Sequence, residues 1–170
     1  MKTFRSLVVL RRPRAELWTI MRDHLVDFAG RIADIDSIRE IERTADADGV
    51  VRIVNEWRVR QQVPAVLRPI VKTTELGWID RNSWNVASWT CSWAIEPNVL
   101  TEHIACSGTT NFVEAMAGQG TRVAFEGAFD LKTGLLGGAV SGFLESIITT
   151  VIPRNLRSVV ETAAAYDLPL

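Results

Sequence analysis

From Ala139 to Asp167 the apolar residues Val140, Phe143, Leu144, Ile147, Ile148, Val151, Ile152, Leu156, Val159, Val160, Ala163 and Ala164 recur every third or fourth position. That spacing predicts one long helix with a continuous apolar face, because side chains three and four apart stack on the same side. Glu145, Thr149, Arg154, Arg157, Ser158 and Glu161 fall mostly on the other side, with Arg157 and Glu161 one turn apart as an ion pair in the weaker orientation. Pro153 lacks an amide donor and its ring crowds the preceding turn, so a kink is expected there. Asp167, Leu168 and Pro169 end the helix. An apolar face of this length has to be covered, and the upstream chain must build the surface that covers it.

That upstream chain reads mostly as strands. Lys2 to Leu10 is rich in β-formers, and after Arg11, Arg12 and Pro13 a short helix pair fits Arg14 to Gly30, carried by Leu17, Trp18, Met21, Leu25 and Phe28. Ile38 to Thr44 runs into Asp48-Gly49, a strong hairpin signal, and Val50 to Arg60 returns with Val51, Ile53, Asn55, Trp57 and Val59 on one face. Pro64 and Pro69 make Gln61 to Lys72 an edge segment or an apolar loop. Thr73 to Ile79 is a strand, Asp80 to Ser83 has turn chemistry, and Trp84 to Ile95 is the next strand, with Trp89, Cys91 and Trp93 sharing a face. Leu100 to Ala115 and Thr121 to Leu131 complete a meander of about six strands after the helix pair. A two-residue loop at Asn98 and Val99 would pair Cys91 with Cys106, Trp93 with Ile104 and Trp89 with Gly108; a turn at Gly118 and Gln119 would set Phe112 opposite Phe125.

Composition excludes several classes. The 170 residues suit one domain, spanning 1–170, and a formal net charge of −1 at pH 7 gives no field for nucleic acid. No apolar run is free of charge for long enough to span a bilayer, and Met1 to Val9 contains no signal-peptide core with a cleavage site, which makes the cytoplasm the expected compartment. Cys91 and Cys106 are too few for a disulfide scaffold or a four-ligand metal site and are read as reduced. No metal or cofactor is expected, since there is no helical His pair, no Cys-x-x-Cys and no Gly-Lys-Ser/Thr after Gly134, Gly137, Gly138 and Gly142.

The order of strand, two short helices, antiparallel meander and one long C-terminal helix is an α+β arrangement. With the helix start at Pro13 to Trp18, the turn at Asp46 to Gly49, and Trp89 and Trp93 in a central strand, it resembles the helix-grip fold of the SRPBCC superfamily, which includes START-like domains, the birch-pollen-allergen relatives and the polyketide cyclase/dehydrase family. The resemblance covers essentially the whole chain. It implies a curved antiparallel sheet wrapped around the long helix, a cavity between them for an apolar ligand, and in some members catalysis inside that cavity.

The residues point the same way. An inward face with Trp57, Trp89, Trp93, Phe112, Phe125 and Phe129 beside Gly108 and Gly127 combines large plates with missing side chains, and such a surface either interdigitates or leaves space. The candidate ligand-binding residues are Asn55, Trp57, Trp89, Cys91, Trp93, Phe125, Phe129 and, from the helix, Ile148, with Asn55 as the orienting amide. Three functions remain open. The first is a binding protein for a hydrophobic or aromatic molecule such as a lipid or polyketide; the second is an enzyme of the polyketide cyclase/aromatase kind, with Glu102 or Glu114 moving protons; the third is an interaction protein with a filled core. Whether the chain is an enzyme is left undecided. Neither His24 nor His103 is placed to serve a nucleophile. Leu135, Leu136, Val66, Leu67 and Ile70, with Arg68 and Lys72 alongside, form an expected apolar gate suited to a transient membrane-surface contact or to a homodimer interface.

Overall fold

The computed structural model describes residues 1–132, 134 and 137–169. Strand β1 (Lys2–Leu10) leads into helices α1 (Arg14–Asp23) and α2 (Leu25–Phe28), followed by β2 (Ile35–Ala45), β3 (Val51–Gln62), β4 (Glu75–Asn85), β5 (Thr90–Pro97), β6 (Ile104–Ala115) and β7 (Gly120–Leu131). The strands form one antiparallel sheet in the order β1-β7-β6-β5-β4-β3-β2. A long helix closes the chain as α3 (Gly138–Ser146), a π-helical turn (Ile147–Val151) and α4 (Ile152–Ala164). It lies across the concave face of the curved sheet.

The predicted kink at Pro153 takes the form of that π turn. Pro153 offers no N–H, so the turn before it is widened and the helix continues instead of breaking. Thr149 adds a local bond there, its Oγ1 donating to the Glu145 carbonyl at 2.8 Å. The turn at Asp46–Val50 is as the sequence predicts, with Gly49 at φ +84°, which glycine adopts at no steric cost. At the β2 edge two register shifts and a row of exposed Arg and Glu side chains disfavour pairing with another sheet.

Three sequence expectations are corrected. Asp80 to Ser83 is not a turn: β4 runs straight through it, and the chain reverses at Val86 to Trp89. The stretch Trp78-x-Asp80-x-Asn82-x-Trp84 is a two-residue alternation whose inward positions happen to carry turn-forming side chains, so composition concealed the period. Trp89 accordingly precedes β5, at φ +51°, and does not share the strand face with Cys91 and Trp93. The β5–β6 register also differs: Cys91 pairs with Thr110, Trp93 with Gly108 and Ile95 with Cys106, because the connection is a longer loop with Leu100 at φ +53° and a 3-10 turn at Thr101–His103. Phe112 faces Val123, and Phe125 faces Thr110. Both shifts are by an even number of residues, which is why the inward faces survive.

Trp93 lies on a notch made by two glycines that pair across β6 and β7. A Cβ at Gly108 would come within 2.2 Å of the Glu126 carbonyl oxygen and 2.5 Å of Trp93 Cζ2; at Gly127 it would meet Phe4 Cζ at 2.4 Å and Trp93 Cη2 at 2.9 Å. Replacing Gly108 by Ala is therefore expected to cost on the order of 2–4 kcal/mol, read from urea unfolding, and to change the Trp emission of the folded state. A neutral outcome would mean that Trp93 does not lie on these two strands.

Candidate functional site

The helix meets the sheet tightly at its two ends. Val140 and Leu144 pack on Val63, Leu67 and Val99, while Val159, Val160 and Ala163 join the cluster around Leu17, Trp18, Phe28 and Phe112. Between these ends lie two adjoining chambers of about 90 Å³ and 160 Å³. They share Trp78, Ile95, Ile152 and Asn155, which form a waist. The inner chamber is bounded by Trp57, Trp84, Trp93 and Phe125, and the outer one by the π turn of the helix facing Val99, Ile104 and Cys106.

Of the predicted residues, Trp57, Cys91, Trp93 and Phe125 border the inner chamber and Ile148 the outer. Three lie elsewhere. Asn55 is buried on the inner face of β3 as the cross-strand partner of Asp80 but lines neither chamber, and Phe129 is buried in a cluster with Trp93, Cys106 and Ile148. Trp89 sits at the sheet end, edge-on to Trp18 at 5.3 Å between centroids, with the Arg14 guanidinium 4.2 Å above its ring. Glu102 is exposed in the 3-10 turn, and Glu114 is exposed at the end of β6 beside Arg14 at 3.4 Å, so neither carboxylate faces the cavity. His24 bonds Asp27 at 3.0 Å at the surface. In the expected gate, Leu67 is fully buried while Val66 and Ile70 are exposed; Leu135 and Leu136 fall outside the described residues.

The carboxylate that does face the cavity is Asp80. Its side chain bears on the inner chamber with Asn82 beside it, and Asn82 Nδ2 donates to Asp80 Oδ2 at 2.8 Å. The Cys91 thiol contacts Asn82 Oδ1 at 3.7 Å, and Trp93 Nε1 donates to Thr110 Oγ1 at 3.2 Å. The buried Trp57 Nε1–H has no partner of normal hydrogen-bond geometry, yet it lies close enough to Asp80 to favour the charged form. Asp80 is half-buried and borders the chamber, where the surrounding apolar walls desolvate it. This desolvation outweighs both N–H groups and raises its pKa from 3.8 to about 6. Burial likewise pushes the Cys91 thiol up, with the Asp80 charge adding to it, and takes Cys106 to about 11. From the helix, Asn155 is the polar residue at the waist, 7% exposed. Sequence reasoning missed Asp80, Asn82 and Asn155; the available signals were the period-two run in β4 and the position of Asn155 three residues past Ile152 and four before Val159 on the apolar face.

No family model matches this sequence, and no curated protein matches it either. Similarity appears in three dimensions. The aromatase/cyclase ZhuI from Streptomyces sp. R1128 superposes with a TM-score of 0.68 at 11% identity, over 96% of this chain and 92% of that one. Ara h 8.0201 gives 0.63 at 13% identity over 97% and 99% of the two chains. Norcoclaurine synthase from Thalictrum flavum gives 0.63 at 12% identity over 96% and 84%. The fold is the helix-grip fold. At these identities the likeness extends to the fold alone. Among the described residues of this helix-grip chain no helix is long and apolar enough to cross a membrane.

Two outcomes follow from the site. Because the folded-state pKa of Asp80 lies above its unfolded value, the native state keeps the proton longer, and the contribution of Asp80 to stability declines as pH rises from 3.8 to about 6. Asp80→Asn removes that loss: at pH 7.5 the variant is expected to be more stable by up to about 3 kcal/mol in urea unfolding, with the gap closing near pH 4. Equal stability at both pH values would show Asp80 to be solvated. Separately, iodoacetamide at pH 8 should leave both buried cysteines unmodified in the folded protein and label both after unfolding.

Proposed function

We propose that this protein binds a small hydrophobic or aromatic molecule between the sheet and the C-terminal helix. The observation that carries the reading is the two-chamber cavity: the helix is packed at its ends, and its centre spans an aromatic-walled space with polar groups at only a few points. This space weighs against a filled core. An apolar cavity of about 150 Å³ accommodates a benzene-sized molecule, so the outer chamber of about 160 Å³ suits one ring and the inner chamber of about 90 Å³ a smaller group reaching past the waist. The helix-grip neighbours support the reading at the level of fold, an aromatase/cyclase and a norcoclaurine synthase among them.

A cyclase-type enzyme is the second reading, and one observation favours it: Asp80, a carboxyl group raised toward neutral pH inside the cavity, is where an acid or base would be needed. Glu102 and Glu114 are too far out on the surface for that role.

Native mass spectrometry of gently purified protein, with an organic extract of the same sample, is expected to show a bound apolar molecule. Ile95→Phe, which fills the waist, should fold with an unchanged circular dichroism spectrum and lose at least tenfold in affinity for whatever the extract yields. If the wild type is empty and its Trp emission is unchanged by fatty acids, quinones and polyphenols, the binding reading fails. Should the ligand bind equally well with the waist blocked, it occupies some other site.

A further inference from the structure

We propose that the ligand of this cavity is an organic cation, an aromatic or apolar molecule whose protonated amine enters the inner chamber and pairs with Asp80 beside Trp57, Trp78 and Trp93. This rests on the reading above and adds the charge of the occupant. Asp80 is placed by strand register among three indoles. Trp78 precedes it by two residues on the same face of β4, Trp57 is diagonal to it on β3, and Trp93 is diagonal on β5. Trp57 and Trp78 are stacked, 5.4 Å between centroids at an interplanar angle of 19°, and all three rings border the chamber. Indole rings attract ammonium groups, and the neighbouring carboxylate supplies the opposite charge.

The carboxylate has no counter-ion among the described residues. The Asn82 amide donates to it and the Trp57 N–H lies nearby, and both groups are neutral. Arg81, next in sequence, points to the outer face and lies 4.0 Å from Glu96. On the facing helix the groups toward the chamber are Ile152, Asn155, Leu156 and Val159, with Arg154 turned to Asp34 and Arg157 to Glu161 at the surface. The early helices contribute Met21 and Leu25. The other titratable group facing this chamber is Cys91, which burial keeps neutral. A carboxylate flanked only by neutral groups gains most from an occupant that brings the opposite charge.

The alternative occupant is a neutral molecule accepting a hydrogen bond from protonated Asp80, and the two differ in the sign of their pH dependence. A cation needs the carboxylate and binds more tightly as pH rises through about 6; an acceptor needs the acid and binds more weakly over the same range.

The test uses the intact chain and three probes of similar size by isothermal titration calorimetry: 2-phenylethylamine, 2-phenylethanol and phenylacetate. The amine is expected to bind at least tenfold tighter than the alcohol at pH 7.5, with phenylacetate weakest, and its affinity should rise about tenfold from pH 5 to 7.5. Asp80→Asn should remove the preference for the amine over the alcohol and the rise of amine affinity with pH, and urea unfolding of the same variant confirms that it folds. Alcohol binding equal to or tighter than that of the amine, or amine binding that weakens with rising pH, overturns the cation assignment and leaves the hydrophobic-ligand reading standing. Failure of all three probes at millimolar concentration overturns both.

Discussion

The apolar face of the C-terminal helix has to be buried, and the curved sheet buries it only where it comes close. At one end the loop after β3 folds in so that Val63 and Leu67 reach Val140 and Leu144; at the other, α1 and α2 close under Val159, Val160 and Ala163. Between them the helix is a beam held at both supports. Its middle is under no obligation to interdigitate, so space survives there without the loss of stability that a void would bring in a close-packed core. The π turn ahead of Pro153 lies in this middle span and points Ile147, Ile148 and Val151 at the outer chamber. Widened turns of this kind often occur at functional sites.

The sheet opposite the beam is shaped by a contrast of side-chain size. Gly108 and Gly127 leave a depression into which Trp93 lies flat, held by its bond to Thr110 and backed by Phe4 at 6.1 Å between ring centroids. That packing makes Trp93 a wall rather than a plug. Next to it the row Asp80, Asn82 and Cys91 runs as a short, largely desolvated polar ladder on an otherwise apolar surface, and such a row finds partners within itself or in what enters the cavity. Asn82 is satisfied from both sides. Asp80 is not, and the functional interest of the molecule concentrates on it.

The order of elements, the number of strands, the early helix pair and the long helix interrupted at Pro153 are legible in the sequence, because each depends on a local period or a local breaker: the three-four recurrence after Ala139, Pro13, Asp48-Gly49 and Pro153. Trp57, Cys91, Trp93 and Phe125 were legible as inward for the same reason, since an even-numbered error in register leaves a residue on its face. Asp80 and Asn82 were not. Their side chains favour turns, and nothing local distinguishes a turn from a strand that uses the same residues to line a cavity. Trp89 failed in the opposite sense, an aromatic of high strand propensity placed in a left-handed turn because α1 offers Trp18 and Arg14 to receive it.

The sequence by itself determined which faces are apolar and therefore that a helix must lie on a sheet, because alternation and helical spacing are properties of the chain read along its length. Only the tertiary structure decided where that contact is tight and where it opens. Asp80 meets Trp57 and Trp93 through strand pairing, and the cavity exists because the helix is anchored at distances set by elements far from it in sequence; neither relation is a function of local spacing. The raised pKa of Asp80 has the same origin, since desolvation comes from what the fold places around a carboxyl group and not from its neighbours along the chain.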